Sequence, residues 1–186
     1  MLFGTEAFEI EILKGIQNIF QGRFFDAFMP AVTRLGDGGL IWIVTAIVLL
    51  CTKKYRKVGV TLAVGLIVGF LFANVALKNI VMRPRPCLLM PDFPLLIGVP
   101  TDYSFPSGHT VSSFVSAFVL LKGNRKMGVF ALVLAAILAF SRMYLFVHFP
   151  TDILGGILVA YISYLTTNIL IKRGCRNESH TNAQKD

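Results

Sequence analysis

Charged residues are scarce in this sequence: Asp, Glu, Lys and Arg make up 15% of its 186 residues, where a soluble domain carries about 25%. With 55% hydrophobic residues, that shortage excludes an intrinsically disordered chain and a coiled coil, and leaves one compact, membrane-embedded domain. Cysteine is scarce as well. Cys51, Cys87 and Cys175 lie far apart without metal-type spacing, so neither a disulfide framework nor a zinc site is expected. There is no internal repeat. The opening Met-Leu-Phe-Gly-Thr-Glu lacks a basic n-region, so no cleavable signal peptide is expected.

Long apolar runs are what the chain does have, and a spanning helix needs about 20 such residues. Val58–Leu77 and Ile153–Ile171 contain no charge, and Met127–Phe140 continues past Ser141-Arg142 into further apolar residues. Gly39–Cys51 is short and needs its flanks to span. Thr110–Leu121 has a polar front end, which a helix facing a cavity inside a bundle tolerates. The expected fold is therefore all-α, a polytopic membrane bundle of about five transmembrane helices. An N-terminal amphipathic helix is added by Glu6–Gln21, with Phe8, Ile12, Ile16 and Ile19 on one face and Glu9, Glu11, Lys14, Gln17 and Asn18 on the other. It reads either as lying in the membrane interface or as packed on the bundle's rim. The chain divides into an N-terminal amphipathic or interfacial segment over 1–36, a membrane-embedded domain over 37–172 and a polar, cytoplasmic tail over 173–186, whose last dozen or so residues read as disordered.

The formal charge of +8 is mostly a topology signal. Lys53, Lys54, Arg56 and Lys57, then Lys122, Arg125 and Lys126, then Lys172, Arg173, Arg176 and Lys185 fall on one side of five spans. By the positive-inside rule that side, with the C-terminus, is cytoplasmic. No nucleic-acid partner is expected, and no obligate protein partner is inferred.

The opposite side breaks the apolar pattern. A proline-rich connection of roughly 79–105 holds Pro84, Pro86, Pro91, Pro94 and Pro100, a density that stiffens a loop and opposes helix. At the same membrane depth come Lys78, Arg83 and Arg85, then Ser107-Gly108-His109, and, across the next two spans, Ser141-Arg142, His148 and Asp152. Charges clustered at a bundle end are costly unless an anion binds there. Arg presents a planar fork to phosphate oxygens and Lys a point charge. Ser107 suits a helix N-cap, so Gly108 and His109 would expose backbone N–H groups at a positive helix end, and Gly108 has no Cβ to block a phosphate. Pro150 suits the first turn of the last helix, which brings Asp152 back toward His148. A carboxylate on one ring nitrogen sets the tautomer and leaves the other as a nucleophile, while His109 can protonate a leaving oxygen. Taken singly, an Arg here can snorkel, a His can be structural and Asp152 can cap its helix; the joint pattern is what points to phosphate chemistry. Arg83 is expected to have only a surface or loop-packing role, and His180 to be solvated.

Lys78, six residues and Arg85-Pro86, then Pro106-Ser107-Gly108-His109, then Ser141-Arg142, five residues, His148, three residues and Asp152: this resembles the complete three-part signature of the type 2 phosphatidic acid phosphatase superfamily, the lipid phosphate phosphatases. The resemblance implies that Lys78, Arg85 and Arg142 hold the phosphate and its transition state, with Ser107 and the Gly108 backbone completing the cradle. It implies that His148 attacks phosphorus to give a phosphohistidine, oriented by Asp152, and that His109 protonates the leaving group. It implies no metal and no other cofactor, and the sequence has no carboxylate cluster suited to Mg²⁺. The implied substrate is a membrane lipid phosphate reached from the bilayer at a non-cytoplasmic site. Compact bacterial members of the family commonly hydrolyse undecaprenyl diphosphate to undecaprenyl phosphate and inorganic phosphate, the preferred expectation here; a phosphatidylglycerophosphate or phosphatidate phosphatase of broad specificity follows. A lipid transporter and a phosphotransferase remain as rivals.

Overall fold

The computed structural model describes residues 4–182, and their side chains as far as Gly174. The described residues contain helices and no strand. Helix α1 (Glu6–Phe20) and helix α2 (Arg23–Leu35) precede α3 (Leu40–Cys51). Helix α4 (Arg56–Phe70) runs through a π-helical stretch, Leu71–Leu77, into α5 (Lys78–Val81). After a one-turn helix α6 (Pro86–Leu89) and a long loop come α7 (Gly108–Gly123), α8 (Arg125–Tyr144) and α9 (Pro150–Asn182).

The five apolar segments correspond to α3, α4, α7, α8 and α9. Three helical stretches, containing α4, α8 and α9, are long and apolar enough to cross a membrane, and α2 and α3, bent by 42° at their junction, would make a fourth. The 12 residues of α3 are too few to span alone, so the amphipathic N-terminal segment supplies part of that wall. Helix α7 has 16 residues and is enclosed by α4, α8 and α9. Enclosure explains its serines: Ser113 accepts a hydrogen bond from Trp42 Nε1 at 2.9 Å, and Ser116 donates to the Ser112 carbonyl.

Small residues let the backbones approach. A Cβ on Gly65 of α4 would stand 2.9 Å from Val115 of α7, and one on Gly156 of α9 the same distance from Thr110. Around this core Ile43, Val44, Ile47 and Val48 of α3, Phe130 and Val133 of α8 and Leu154, Leu158 and Ile169 of α9 point outward. So much exposed apolar surface suits a bilayer and would aggregate in water.

Three expectations are revised. Helix α1 does not bury its apolar stripe: Phe8 and Ile19 are exposed, while Glu6, Glu9 and Leu13 face the protein. The helix packs on the protein through Leu13 and Ile16, with its carboxylates turned inward. Helix α9 continues through residue 182, so that part of the polar tail is helical; the side chain of His180 and the last four residues lie outside the described ones. Within the proline-rich loop Pro86 starts a helical turn, because its fixed φ fits position N1.

Candidate active site

Each part of the site is placed by a local device. Asn74, within the π-helical stretch, and Lys78, just after it, both line one cavity. Ser107 caps α7 by accepting from the Thr110 N–H at 3.4 Å. Phe146, at a left-handed φ of 58°, turns the chain after α8 so that the N–H groups of Val147 and His148 both donate back to the Arg142 carbonyl. Asp152, in the first turn of α9, accepts from the Phe149 N–H at 2.8 Å, and the Ser107 N–H donates to the Asp152 carbonyl at 3.2 Å. The ends of α7, α8 and α9 are thereby tied together.

Lys78, Arg85, Gly108, His109, Arg142 and His148 line a single cavity of about 1110 Å³. The Arg85 guanidinium donates to the Val147 carbonyl at 2.7 Å and stands 3.0 Å from His148 Nε2. Arg142 donates to Thr33 Oγ1 at 2.7 Å. His148 turns Nδ1 to Asp152 Oδ2 at 3.4 Å and Nε2 to the cationic side. Contacts of this kind are often loose before substrate binds. Burial pushes the His148 imidazole well below its ordinary value, with Arg85, Arg142 and Lys78 adding to the effect, so the ring is neutral with a lone pair. His109 Nε2 faces two acceptors, Asp37 Oδ1 at 3.0 Å and the Thr33 carbonyl at 3.3 Å, and must therefore carry the proton there. Ser107 is buried and does not line the cavity; what it does is cap the helix whose first residues reach it.

Four features had no signal in the motif spacing. Asp102, in the loop, bridges Lys78 and Arg85: its Oδ1 accepts from Arg85 Nη2 at 2.6 Å and its Oδ2 from Lys78 Nζ. Although burial acts to raise it, the Lys78 and Arg85 contacts prevail and hold its carboxyl well below the usual range. Asn74 stands beside Gly108, 3.2 Å from where a Cβ would be. Ser104 donates to Asp152 Oδ2. Arg83 corrects the expectation of a surface role. It is fully buried, donates to Asp152 Oδ1 and Thr151 Oγ1, each at 2.7 Å, and to Glu9 Oε2, and lies 3.9 Å over the Phe149 ring. A spacing rule sees Arg83 only as a filler between Lys78 and Arg85; its partners come from opposite ends of the chain. Burial acts to raise the Glu9 carboxyl, but hydrogen bonds from Thr151 and Arg83 hold it below its ordinary value.

The rest of the cavity is apolar. Ile43, Ala46, Ile47 and Leu50 of α3 face Ala63, Leu66, Ile67 and Phe70 of α4 along a groove that leads from the cationic end toward the opposite face. From Ala63 to Lys78 that groove is about 22 Å long at 1.5 Å per residue. Ile43, Ile47, Ile67 and Phe70 are themselves exposed on the outer surface, so the groove opens sideways. An anion cradle joined to a lateral apolar groove fits an amphiphile with a phosphate head.

The PAP2 superfamily pattern matches residues 54–174. The chain belongs to that superfamily. It is 32% identical over 164 residues to an undecaprenyl-diphosphatase of Sulfolobus acidocaldarius, covering 87% of this chain and 78% of the relative. It is 30% identical to the undecaprenyl-diphosphatase BcrC of Bacillus subtilis, covering 82% and 78%. The fold is similar to the crystal structure of a transmembrane PAP2 type phosphatidylglycerolphosphate phosphatase from Bacillus subtilis, with a TM-score of 0.72, 25% identity and coverage of 92% and 88%. This phosphatase is a multi-pass membrane protein that acts on lipid phosphates.

Proposed function

We propose that the phosphatase hydrolyses undecaprenyl diphosphate to undecaprenyl phosphate and inorganic phosphate, at the non-cytoplasmic face of the membrane. The observation that carries this reading is the continuity of the cationic cradle with the sideways-opening groove between α3 and α4. It lets the head reach His148 while a tail far longer than the groove remains in the bilayer. Two relatives bear the name undecaprenyl-diphosphatase, which supports the same choice. The basic residues 53–57 and 122–126 flank the membrane face opposite the cradle, which supports the orientation.

In this reading Lys78, Arg85 and Arg142 neutralise the oxygens of the terminal phosphoryl group, and N–H groups at the start of α7 add to them. His148 Nε2 attacks phosphorus. The bond from phosphorus to the bridging oxygen breaks, undecaprenyl phosphate departs, and His109, as the imidazolium that an anionic substrate favours, gives its Nε2 proton to the leaving oxygen. Asp152, facing Nδ1, holds the tautomer and stabilises the cationic phosphohistidine. Water then attacks phosphorus and passes a proton to His109, which releases inorganic phosphate and restores both rings. The three basic side chains supply the charge compensation a divalent ion would give, so no cofactor enters the scheme. The tail groove is also long enough for the acyl chains of phosphatidylglycerophosphate, and the similarity to the Bacillus subtilis phosphatase makes that lipid the second reading.

The test is phosphate release by the purified protein in detergent with EDTA present, comparing undecaprenyl diphosphate, phosphatidylglycerophosphate and phosphatidate by kcat/KM, with His148→Ala as the blank. A marked preference for undecaprenyl diphosphate is expected. Equal rates on all three would replace it with a broad lipid phosphatase, and loss of activity with EDTA would overturn the metal-free scheme.

A further inference from the structure

Helix α1 lies outside the residues 54–174 that carry the family pattern, yet one of its side chains reaches the site. Glu9 is 2% exposed. Its Oε1 accepts from the Thr151 N–H at 2.9 Å and from Thr151 Oγ1 at 2.6 Å, and its Oε2 accepts from Arg83 and from Thr5 Oγ1 at 3.0 Å. Arg83, 0% exposed, has Glu9 on Nη2 and Asp152 on Nη1. The order is thus Glu9, Arg83, Asp152, His148, running from the N-terminal helix to the reacting ring.

Such a buried array is weak evidence of a stabilising role, because apolar replacements of similar volume are often as stable or more so. Its charge balance has a use instead. Lys78 on α5, Arg85 ahead of α6, His109 on α7 and Arg142 on α8 all face His148 and oppose a positive charge on its ring. Asp102 partly offsets them on the cradle side, and Asp152 on α9 is the carboxylate on the other. Arg83 alone would cancel much of that carboxylate's effect. With Glu9 on its other nitrogen the guanidinium is shared, and Asp152 keeps negative charge toward the ring. Met82, at a left-handed φ of 50°, is the turn that delivers Arg83 to this position.

We propose that Glu9 is a positioning residue for phosphoryl transfer: through Arg83 it orients Asp152 and preserves the negative charge that Asp152 presents to His148. This rests on His148 as nucleophile and Asp152 as its partner.

The experiment compares Glu9→Gln with the unaltered full-length protein in detergent, on undecaprenyl diphosphate. Gln keeps an acceptor for Thr151 and Arg83 and removes only the charge. The expected result is a kcat about tenfold lower, KM within about twofold, and the acid limb of the kcat/KM profile moved to lower pH by about half a unit or more, since the ring loses a negative neighbour. Thr151→Val, which removes the hydroxyl between Glu9 and Arg83, should act in the same direction and more weakly. In an Asp152→Asn background Glu9→Gln should have no further effect, since nothing remains for it to act through. Unaltered kcat and pH profile in Glu9→Gln, with His148→Ala inactive and Asp152→Asn strongly slowed, overturns the proposal alone. A lower kcat with an unmoved acid limb and a lowered Tm also overturns it, in favour of packing. Near-normal rates in His148→Ala or Asp152→Asn overturn the reading of the site and this proposal with it.

Discussion

Asp102 occupies, with its own carboxylate, the place where Lys78 and Arg85 would meet a phosphate, and replacing it with Asn should tighten anion binding. Lys78 and Arg85 have side chains 8% and 2% exposed, whereas that of Asp102 is 52% exposed. A hydrogen bond to a charged group is worth roughly 1.5–3 kcal/mol, and solvent screening on the Asp102 side brings each of its two toward the lower end. Asn retains one acceptor, so Asp102→Asn removes about 1–2 kcal/mol of competition, or about 5- to 30-fold in apparent affinity. The assay is inhibition by orthovanadate and by inorganic phosphate, with KM for the lipid measured alongside. Both inhibition constants should fall by that factor while kcat changes little, since a bound phosphate would displace Asp102 from Lys78 and Arg85. Acidification should not imitate the variant. The folded-state value of Asp102 lies below its ordinary 3.8, so its ion pairs are fully present above that value and are lost only as pH falls through the lowered one. Between pH 5 and 8 the competition is constant. An unchanged or weakened vanadate affinity in Asp102→Asn would refute the reasoning and show that Asp102 chiefly orders Arg85, whose Nε also donates to the Asp102 carbonyl at 2.8 Å.

Three further outcomes are expected. His148→Ala should abolish turnover with folding intact, and Asp152→Asn should lower kcat by about three to four orders of magnitude by favouring the wrong tautomer, both read by phosphate release against unchanged Tm. Ala63→Phe, which places a ring in the groove between α3 and α4, should lower kcat/KM on undecaprenyl diphosphate about tenfold or more and leave a short water-soluble phosphate ester unaffected; equal losses on both would show that the groove does not hold the tail. A cysteine at Asp92→Cys, in the loop over the cradle, should react with an impermeant maleimide in intact cells, and labelling only after lysis would reverse the orientation.

The apolar runs located the helices because membrane burial is written locally, in length and in absence of charge. Even α7, too short and too polar at its front to pass a hydropathy test, was legible once its serines were taken as facing a bundle interior. The phosphate-facing residues were legible for a related reason: Lys78, Arg85, Arg142 and His148 are ionisable groups at one membrane depth, and such groups have few inexpensive places to be. The same rule misjudged Arg83, which has equal charge and equal depth but points away from the cavity into Glu9 and Asp152. It missed Glu9 as well, because on a helical wheel a carboxylate opposite Phe8 and Ile12 reads as solvated.

What the sequence by itself determined was therefore the class of the molecule, a helical membrane bundle with a cationic, histidine-bearing end, since both follow from residue type and spacing along one chain. The tertiary structure alone decided which cations meet the cavity and which meet a carboxylate behind it, that Asp102 fills the cradle, that α3 and α4 part to form a groove, and that α1 turns Glu9 inward. These are pairings across up to 142 residues of chain, as between Glu9 and Thr151. A buried charge must find a counter-charge, but sequence spacing does not say which one packing will bring within reach.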